Sequence, residues 1–378
     1  MNKFPESITH AYVMLTEKCP LRCKYCYISH YDNSEICKME YIDKLIDRFT
    51  EKPTIVFFGG EPLLQLDLIK EIVKKYKGKC FFQLVTSGSI NFIKFLKEVY
   101  IPNREDFLIQ LSYDGTDSNS RIFVNSKPSE INIKEVLLEA LKLNCSFETR
   151  TVISDSNIDT LYSTYNELKD IRSKFNKFYF DFNLAHQKQF SKDFYSKLYS
   201  QLNKIFYDIA AQLNTKVEVF VPNYFLQLFS KYMSKTFTKS CDIGNYVCMR
   251  PNGDLYPCTI LSQIDEKFKI GNVLDEELDY DIFEQTSHIS QCEKHCKFQY
   301  LCDGGCRYER IINYTNWQDK ICRHTCEIQE VIDDCCIHFM HSLSWIGMTS
   351  LVKECKKWEQ WFDTFHSDLK NAQTKRGI

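Results

Sequence analysis

The chain lacks long apolar runs and an excess of charge of either sign. Its formal net charge is −2 over 378 residues and its lysines and arginines are scattered, which excludes the basic stripe of a nucleic-acid-binding protein and a polybasic membrane patch. It also lacks an internal repeat, an apolar segment long enough to span a bilayer, and the basic-then-apolar start of a signal peptide. We therefore expect a soluble, cytoplasmic protein that binds neither nucleic acid nor a membrane.

Cysteine, in contrast, is abundant, with 18 residues. Because cytosolic thiols are kept reduced, such a content indicates metal or redox chemistry rather than disulfides. Three cysteines fall within residues 19–26 and nine within 241–326. The remaining six are Cys37, Cys80, Cys145, Cys335, Cys336 and Cys355.

Residues 1–190 alternate short β-branched or aromatic runs with longer amphipathic stretches. The runs predict strands at 12–16, 54–58, 81–86, 107–112, 147–153 and 178–184. The amphipathic stretches predict helices at 41–49, 66–76, 92–99, 133–143 and 158–175. A strand-plus-helix unit of roughly 25–35 residues is typical of parallel α/β folds. Six units are fewer than a closed TIM barrel needs, so we expect a partial (β/α)6 TIM-like barrel, with an open doubly wound sheet as the alternative.

Three further segments follow this predicted barrel. Residues 191–240 read as a helical linker with a short strand at 217–221, and residues 327–378 read as C-terminal helices. Residues 241–326 are rich in cysteine and poor in apolar periodicity, so cross-links or metals are expected to hold them. Within them, Pro251-Asn252-Gly253-Asp254 predicts the turn of a hairpin.

The first cysteine cluster directly follows the first predicted strand. Cys19, Cys23 and Cys26 are separated by three and then two residues, so their thiolates can converge on one metal centre. A structural zinc site is closed by four ligands, whereas a [4Fe–4S] cluster held by three thiolates leaves one iron free to bind a ligand. A zinc loop is the alternative.

This C-x3-C-x2-C loop, with Tyr25 before its last cysteine, resembles the signature of the radical S-adenosylmethionine (SAM) superfamily. The resemblance implies that the free iron chelates SAM and that electron transfer yields a 5′-deoxyadenosyl radical. Cys19, Cys23 and Cys26 would then be the catalytic metal ligands. An external reductant of the flavodoxin or ferredoxin type is also implied.

Polar motifs at the ends of the following strands match the same family. The resemblance assigns SAM binding to Tyr25, Gly59, Gly60, Glu61, Pro62, Thr86, Ser87, Ser112 and Arg150. Glycines let a backbone approach a ligand closely, and strand carboxyl ends are where barrels build their sites. Asp114 is expected to shape its loop, and Arg150 is either a partner of the SAM carboxylate or part of a structural salt bridge.

The second cluster resembles a SPASM domain, the C-terminal extension of many radical SAM maturases. The spacing from Gly253 to Cys258, the x5 and x3 spacings that end at Cys306, and Asp303-Gly304-Gly305 carry the resemblance. Two auxiliary [4Fe–4S] clusters are implied, the first held by Cys241, Cys248, Cys258 and Cys306, and the second by Cys292, Cys296, Cys302 and Cys322.

The auxiliary ligand set has three open points. Three residues separate Cys292 from Cys296 where the family has two, which leaves the role of Cys292 open. Cys326 is an alternative to Cys322. Zinc is the alternative metal, because sites of four cysteines commonly hold it.

These resemblances imply a peptide maturase that installs a thioether or carbon–carbon cross-link in a ribosomally made peptide. The alternative is an anaerobic sulfatase-maturating enzyme, which carries an aspartate general base where this chain has Thr259. Only 18 residues precede Cys19, so a separate peptide-recognition protein, or the C-terminal helix around Trp358 and Trp361, is expected to bind substrate. Spare thiols admit peptide epimerisation, and a non-catalytic iron–sulfur or zinc scaffold is the hypothesis from another class.

Overall fold

The computed structural model describes residues 2–29, 31, 33–122, 124, 132–175, 178–186, 189–215, 219–234, 243–283, 305–314 and 323–374. The chain divides into two compact units, and the division falls inside a strand. The first unit comprises Met1–Tyr113, Arg121–Thr149 and Asp242–His288. The second comprises Asp114–Ser120, Arg150–Cys241 and Ile289–Ile378.

Strands and helices alternate through the first half of the described chain. The strands are β1 His10–Met14, β2 Thr54–Phe58, β3 Phe81–Thr86, β4 Phe107–Ser112, β5 Phe147–Ile153, β6 Phe178–Leu184, β7 Tyr246–Met249, β8 Asp254–Tyr256 and β9 Gly271–Asn272. The helices are α1 Met39–Asp47, α2 Leu66–Tyr76, α3 Phe92–Phe95, α4 Ile133–Lys142, α5 Leu161–Arg172, α6 Phe194–Thr215, α7 Asn223–Ser234, α8 Arg307–Asn313, α9 Arg323–Ser342 and α10 Trp345–Thr374.

The sheet of the first unit joins parallel strands to a hairpin. Its order is β4-β3-β2-β1-β7-β8-β9, with β5 beside β4. β1 pairs in parallel with both β2 and β7, whereas β8 pairs antiparallel with β7 and β9. The carboxyl ends of β1 to β4 therefore lie along one edge, where a barrel places its site. The sequential order of β1 to β4 has none of the reversal that defines a doubly wound sheet.

One face of this sheet packs into an apolar core. Along β1 to β4, alternate residues are fully buried, including Val13, Ile55, Phe57 and Leu84. The rings of Phe57 and Phe82 stack with centroids 5.8 Å apart. The intervening residues of β3 and β4 are half-buried, so these two strands show the period of two expected when the two faces of a sheet meet different surroundings. In β1 and β2, Met14 and Val56 are buried as well.

The second unit is mainly helical. α9 and α10 both pack against α6, and α7 packs against α10 and β6. Phe206, Phe225, Phe229 and Phe339 form a contiguous aromatic cluster among these elements. None of the helices in the described part of the chain is long and apolar enough to cross a bilayer.

The predicted fold class is confirmed, and five of the six barrel strands have the predicted bounds. The first strand occupies His10–Met14 instead of 12–16, because Thr16 leaves the sheet to form an isolated bridge with Ile36. The hairpin is present, and its turn has Gly253 at φ +87°, where a side chain would be strained.

The predicted strand at 217–221 is wrong over its described part. Residues 219–221 are not in a strand, and 217 and 218 lie outside the described residues. The backbone groups of Phe220 form hydrogen bonds with side chains and not with another strand. Its N–H donates to Gln212 Oε1, and its carbonyl accepts from the Tyr165 hydroxyl.

Replacing Phe57 by alanine should destabilise the protein by about 3–5 kcal/mol, because it opens a cavity in a closely packed aromatic core. Thermal unfolding followed by circular dichroism under argon measures the effect as a lowered midpoint. Tyr207→Ala is the control, since Tyr207 is 77% exposed and its loss should cost about 0.5 kcal/mol or less. Equal midpoint shifts for the two variants would contradict this packing.

Candidate active site

The three-cysteine loop leaves the end of β1 and returns to α1. Its two ends are held together, since Cys37 N–H donates to the Leu15 carbonyl at 2.9 Å. Its middle is held by the segment after β4. Arg22 N–H donates to the Ile122 carbonyl at 2.7 Å, and Val124 N–H donates to the Pro20 carbonyl at 2.9 Å. Backbone hydrogen bonds therefore fix the loop on both sides.

Basic groups and N–H donors surround the three thiols. Cys19 and Cys23 are half-buried, and Cys26 is exposed. Leu21 N–H donates to Cys19 Sγ at 3.4 Å, and Arg121 Nη1 lies 3.9 Å from Cys23 Sγ. The guanidinium of Arg121 also lies 5.6 Å from the centre of the Tyr25 ring. Such donors stabilise negative charge on sulfur, as a thiolate-held cluster requires.

The donor set fits an iron–sulfur cluster with one open iron, because the loop offers three thiols and no fourth cysteine in the same short segment. A four-iron cluster is larger than one ion and accepts three thiolates spread along one loop. Cys19, Cys23 and Cys26 are therefore suited to hold such a cluster with one iron left open.

The Gly59-Gly60 pair after β2 lies directly against the backbone of the cysteine loop. Gly60 N–H donates to the Thr16 carbonyl and Glu61 N–H to the Lys18 carbonyl, each at 2.9 Å. A Cβ atom added at Gly60 would overlap the carbonyl oxygens of Glu17 and Lys18. The sequence predicted that these glycines let a ligand approach the backbone closely. In the structure, the segment that closely approaches them is the backbone of residues 16–18.

Glu61 is fully buried, and both of its carboxylate oxygens are occupied. Oε1 accepts from Leu63 N–H at 3.1 Å and from the Thr86 hydroxyl at 2.7 Å. Oε2 accepts from the N–H and the hydroxyl of Ser87 at 2.9 and 2.5 Å. Burial raises the pKa of Glu61, and these hydrogen bonds oppose the rise. Three of the predicted SAM-binding residues, Glu61, Thr86 and Ser87, are thus brought together by one carboxylate, and Pro62 follows Glu61 in the chain.

The other two predicted SAM contacts lie on later strands. Ser112 is half-buried at the end of β4 in the first unit. Arg150 lies on β5 in the second unit and forms a salt bridge with Asp181 at 3.4 Å. Asp114 accepts from Val152 N–H, and its carbonyl accepts from the Thr164 hydroxyl, which fits its expected role in shaping the loop.

Only three of the eight predicted auxiliary ligands lie in the described part of the chain. Cys248, at the end of β7, and Cys258, after β8, are both buried in the first unit, and burial raises the pKa of the Cys248 thiol. Cys306 precedes α8 in the second unit, where His186 contacts it and Glu309. The five predicted ligands outside the described residues are Cys241, Cys292, Cys296, Cys302 and Cys322.

Tyr27 and Thr259 join the first cysteine loop to the segment after Cys258. The Tyr27 hydroxyl donates to Thr259 Oγ1 at 3.4 Å. Burial raises the pKa of Tyr27 well above its usual value, and the nearby Cys258 and Cys26 thiols contribute to the rise. The hydroxyl therefore stays protonated at neutral pH.

Most of the spare thiols are inaccessible. Cys37, Cys80, Cys145, Cys335, Cys336 and Cys355 are buried, and burial raises the pKa of each. Cys326, near the start of α9, is half-buried. The six buried thiols are therefore structural rather than hydrogen donors to a substrate.

Sequence reasoning missed Glu17 and Arg250. Glu17, two residues before Cys19, is fully buried, and its carboxylate forms a salt bridge with Arg250, which follows β7. The two residues are 233 positions apart. The only signal in the sequence was the position of Glu17, a charged residue between a strand and the cysteine loop. That position does not indicate which residue pairs with it.

Comparison with known proteins identifies the family that part of the chain matches. Residues 13–168 match the model of the radical SAM superfamily. The chain is 25% identical over 345 residues to a cysteine-type anaerobic sulfatase-maturating enzyme of Clostridium novyi, covering 80% of this chain and 88% of the relative. It is 24% identical over 278 residues to the radical SAM cyclopropyl synthase TigE of Paramaledivibacter caminithermalis, covering 66% and 55%.

A solved structure shows the same fold. Native anSMEcpe with bound AdoMet and Cp18Cys peptide superimposes with a TM-score of 0.68 at 17% identity, covering 92% of this chain and 99% of that chain. The parallel strands and the three-thiol loop define an enzyme that uses an iron–sulfur cluster and SAM. Residues 13–168 form a radical SAM domain, and members of that superfamily bind a [4Fe–4S] cluster and SAM.

Replacing Gly60 by alanine should disrupt the cysteine loop, because the added methyl group overlaps two carbonyl oxygens of that loop. We expect iron bound per chain after anaerobic reconstitution to fall severalfold. Gly78→Ala is the control, since nothing lies within 4 Å of its added Cβ and only the cost of a left-handed backbone, about 1–2 kcal/mol, remains. Full iron loading in Gly60→Ala would show that the contact is not needed.

Cys19 should react slowly with iodoacetamide in the metal-free protein. Burial raises the pKa of Cys19 to about 12, so its thiol is protonated at neutral pH, and only the thiolate is a nucleophile. Peptide mapping by mass spectrometry at pH 7.5 should find the exposed Cys26 labelled first. The labelling rate of Cys19 should rise as the pH is raised toward this pKa. Equal rates at Cys19 and Cys26 would contradict the burial of Cys19.

Proposed function

We propose that this enzyme generates a 5′-deoxyadenosyl radical from SAM and removes a hydrogen atom from a ribosomally made peptide, which then acquires a thioether or carbon–carbon cross-link. The observation that carries the proposal is the three-thiol loop held against the Gly59-Gly60 backbone. When bound, the cluster supplies the electron that splits the SAM sulfonium. The chain's own task is to hold SAM and the peptide in position and to exclude competing donors of hydrogen.

Specific residues would hold SAM at this site. The backbone of Gly60 and Glu61 lies against the loop that carries the cluster ligands, and the Glu61 carboxylate ties it to Thr86 and Ser87. We propose that backbone groups of Gly59 to Pro62 bind the SAM amino group. In this assignment Ser112 binds its ribose or carboxylate, and Arg150 binds its carboxylate only when the salt bridge with Asp181 opens.

The segment 241–326 would carry two auxiliary clusters that conduct electrons. The described part of the chain supports the first of them, because Cys248 pairs across the hairpin with Tyr256, two residues before Cys258, and both thiols are buried. Cys241 and Cys306 would complete that cluster, and Cys292, Cys296, Cys302 and Cys322 would hold the second. A cytoplasmic flavodoxin or ferredoxin would supply the electrons.

A peptide substrate is supported by the relatives. The superimposed anSMEcpe structure holds a Cp18Cys peptide, and TigE is a cyclopropyl synthase. The same comparisons support a second candidate function, sulfatase maturation, because a sulfatase-maturating enzyme matches over 80% of this chain.

The residue at position 259 separates the two candidates chemically. Oxidation of a cysteine or serine side chain to an aldehyde needs a base to take the substrate proton. Thr259 is not a base at neutral pH, and its neighbour Tyr27 is already protonated with a raised pKa. A cross-link also releases a proton, but the family resemblance does not assign its acceptor to position 259, so we favour the cross-link.

The decisive experiment uses reconstituted full-length protein, SAM, dithionite and candidate peptides deuterated at carbon. Hydrogen abstraction from peptide predicts deuterium in the 5′-deoxyadenosine and a peptide that has lost two hydrogens. A hydrazide-reactive aldehyde on the peptide would establish the second candidate instead. Production of 5′-deoxyadenosine that carries no deuterium from any peptide tested, including cysteine-rich peptides and a sulfatase segment, would contradict both.

Thr259→Asp offers a separate test of the role of this position. If the base is what the chain lacks, the variant should gain measurable aldehyde formation on a sulfatase-derived cysteine peptide while wild type forms none. Thr259→Asn has nearly the same shape without a titratable carboxyl group and is the matched control. Aldehyde formation by wild type at the rate of Thr259→Asp would overturn the preference for cross-linking.

A further inference from the structure

Glu17 is a fully buried carboxylate with donors on both of its oxygens. Oε1 accepts from Arg250 Nη2 at 2.9 Å, from Arg250 Nε at 3.2 Å and from Gln263 Nε2 at 3.2 Å. Oε2 accepts from Asn33 Nδ2 at 2.5 Å. A buried charge of this kind is costly unless it is paired and hydrogen-bonded, and here both conditions are met.

These donors come from both ends of the cysteine loop and from a distant hairpin. Glu17 precedes Cys19 and Asn33 follows Cys26, so their hydrogen bond closes a ring of chain around the three thiols. Arg250 follows β7, which pairs with β1, and Gln263 follows the hairpin strand β8. All four residues belong to the first unit.

The backbone on either side of Glu17 is held as well, by hydrogen bonds to the segment after β2. The carbonyls of Thr16 and Lys18 accept from Gly60 and Glu61, so the segment 16–18 lies between the Gly59-Gly60 pair and the Arg250 side chain. Moving this segment would shift the first cluster ligand relative to the strand end that faces it. Errors of about 1 Å at such a site are enough to cost catalysis heavily.

We propose that Glu17 is a positioning residue for SAM binding. Through Arg250, Gln263 and Asn33 its carboxylate fixes the distance between the cluster-binding loop and the Gly59-Gly60 edge, so that the amino-acid end of SAM reaches both at once. Glu17 touches neither SAM nor the thiols. The inference uses the superfamily's SAM chemistry and does not depend on the identity of the peptide.

The test measures the dissociation constant of SAM from the change it causes in the EPR spectrum of the reduced cluster. Only chains that hold the cluster contribute to this signal, so a loss of folded protein does not alter the result. Glu17→Gln keeps the shape and removes the charge, and we expect affinity for SAM to fall about tenfold. Iron and sulfide bound per chain should stay at the wild-type value.

Arg250 provides both the partner variant and the control. Arg250→Gln should weaken SAM binding to a similar extent. The double variant should bind SAM no more weakly than the single variant with the lower affinity, because the two substitutions remove the same interaction. Glu266→Gln is the matched control. Glu266 lies 4.0 Å from Arg250 Nη1 but is 69% exposed, so its loss should leave the affinity unchanged.

Three results would overturn the proposal. The first is wild-type affinity for SAM in Glu17→Gln. The second is a double variant whose fold-loss of affinity is the product of the two single losses. The third is a loss of affinity in Glu266→Gln as large as that in Glu17→Gln. If Glu17→Gln does not assemble the cluster, Arg250→Lys decides, since it keeps the charge but loses the fork of donors. A smaller loss of affinity in the same direction supports the proposal, and wild-type affinity contradicts it. Failure of peptide modification would leave this measurement unaffected.

Discussion

The site depends on how tightly three residues, Thr16, Glu17 and Lys18, are held between two parts of the chain. On one side their carbonyls contact Gly59 and Gly60, where no side chain fits. On the other side the carboxylate of Glu17 meets the guanidinium of Arg250. The start of the cluster-binding loop is therefore fixed by contacts that involve neither metal nor SAM.

Two buried carboxylates hold the chain in place around the site, whereas apolar packing does so in the rest of the first unit. Glu17 and Glu61 both follow the carboxyl ends of parallel strands, where the chain has left the apolar core. Each is fully buried and each accepts four hydrogen bonds from side chains and backbone that would otherwise be free to move. Such networks order a site before its ligand binds, which is what a radical enzyme needs to control a reactive intermediate.

The sequence was most informative where one local pattern determines the structure. Short β-branched and aromatic runs located the barrel strands, and the cysteine spacing located the cluster loop, because both patterns depend on neighbouring residues. The pairing of Glu17 with Arg250 depends on β7 joining the sheet beside β1, and no local pattern reports that. The assignment of Glu61 to SAM stays a prediction, and no local pattern reported that its carboxylate accepts hydrogen bonds from Thr86, Ser87 and Leu63.

The strand bounds show the same limit on a smaller scale. Residues 15 and 16 continue the apolar and β-branched character of β1, so the sequence extended the strand through them. The structure ends β1 at Met14. The N–H of Leu15 still donates to Phe58 at the end of β2, but the Leu15 carbonyl accepts from Cys37 and Thr16 forms a bridge with Ile36. Auxiliary ligand assignments rest on family spacing alone for the five cysteines outside the described residues.

The most direct test of the central claim is production of 5′-deoxyadenosine from SAM by the reconstituted, reduced protein and by its Cys19→Ala, Cys23→Ala and Cys26→Ala variants. Wild type should form 5′-deoxyadenosine and methionine in equal amounts, and each variant should form none above background, since two thiolates do not hold the open cluster. Cys80→Ala, which removes a buried thiol far from the loop in sequence, should behave as wild type. Undiminished 5′-deoxyadenosine in any of the three loop variants would contradict the account.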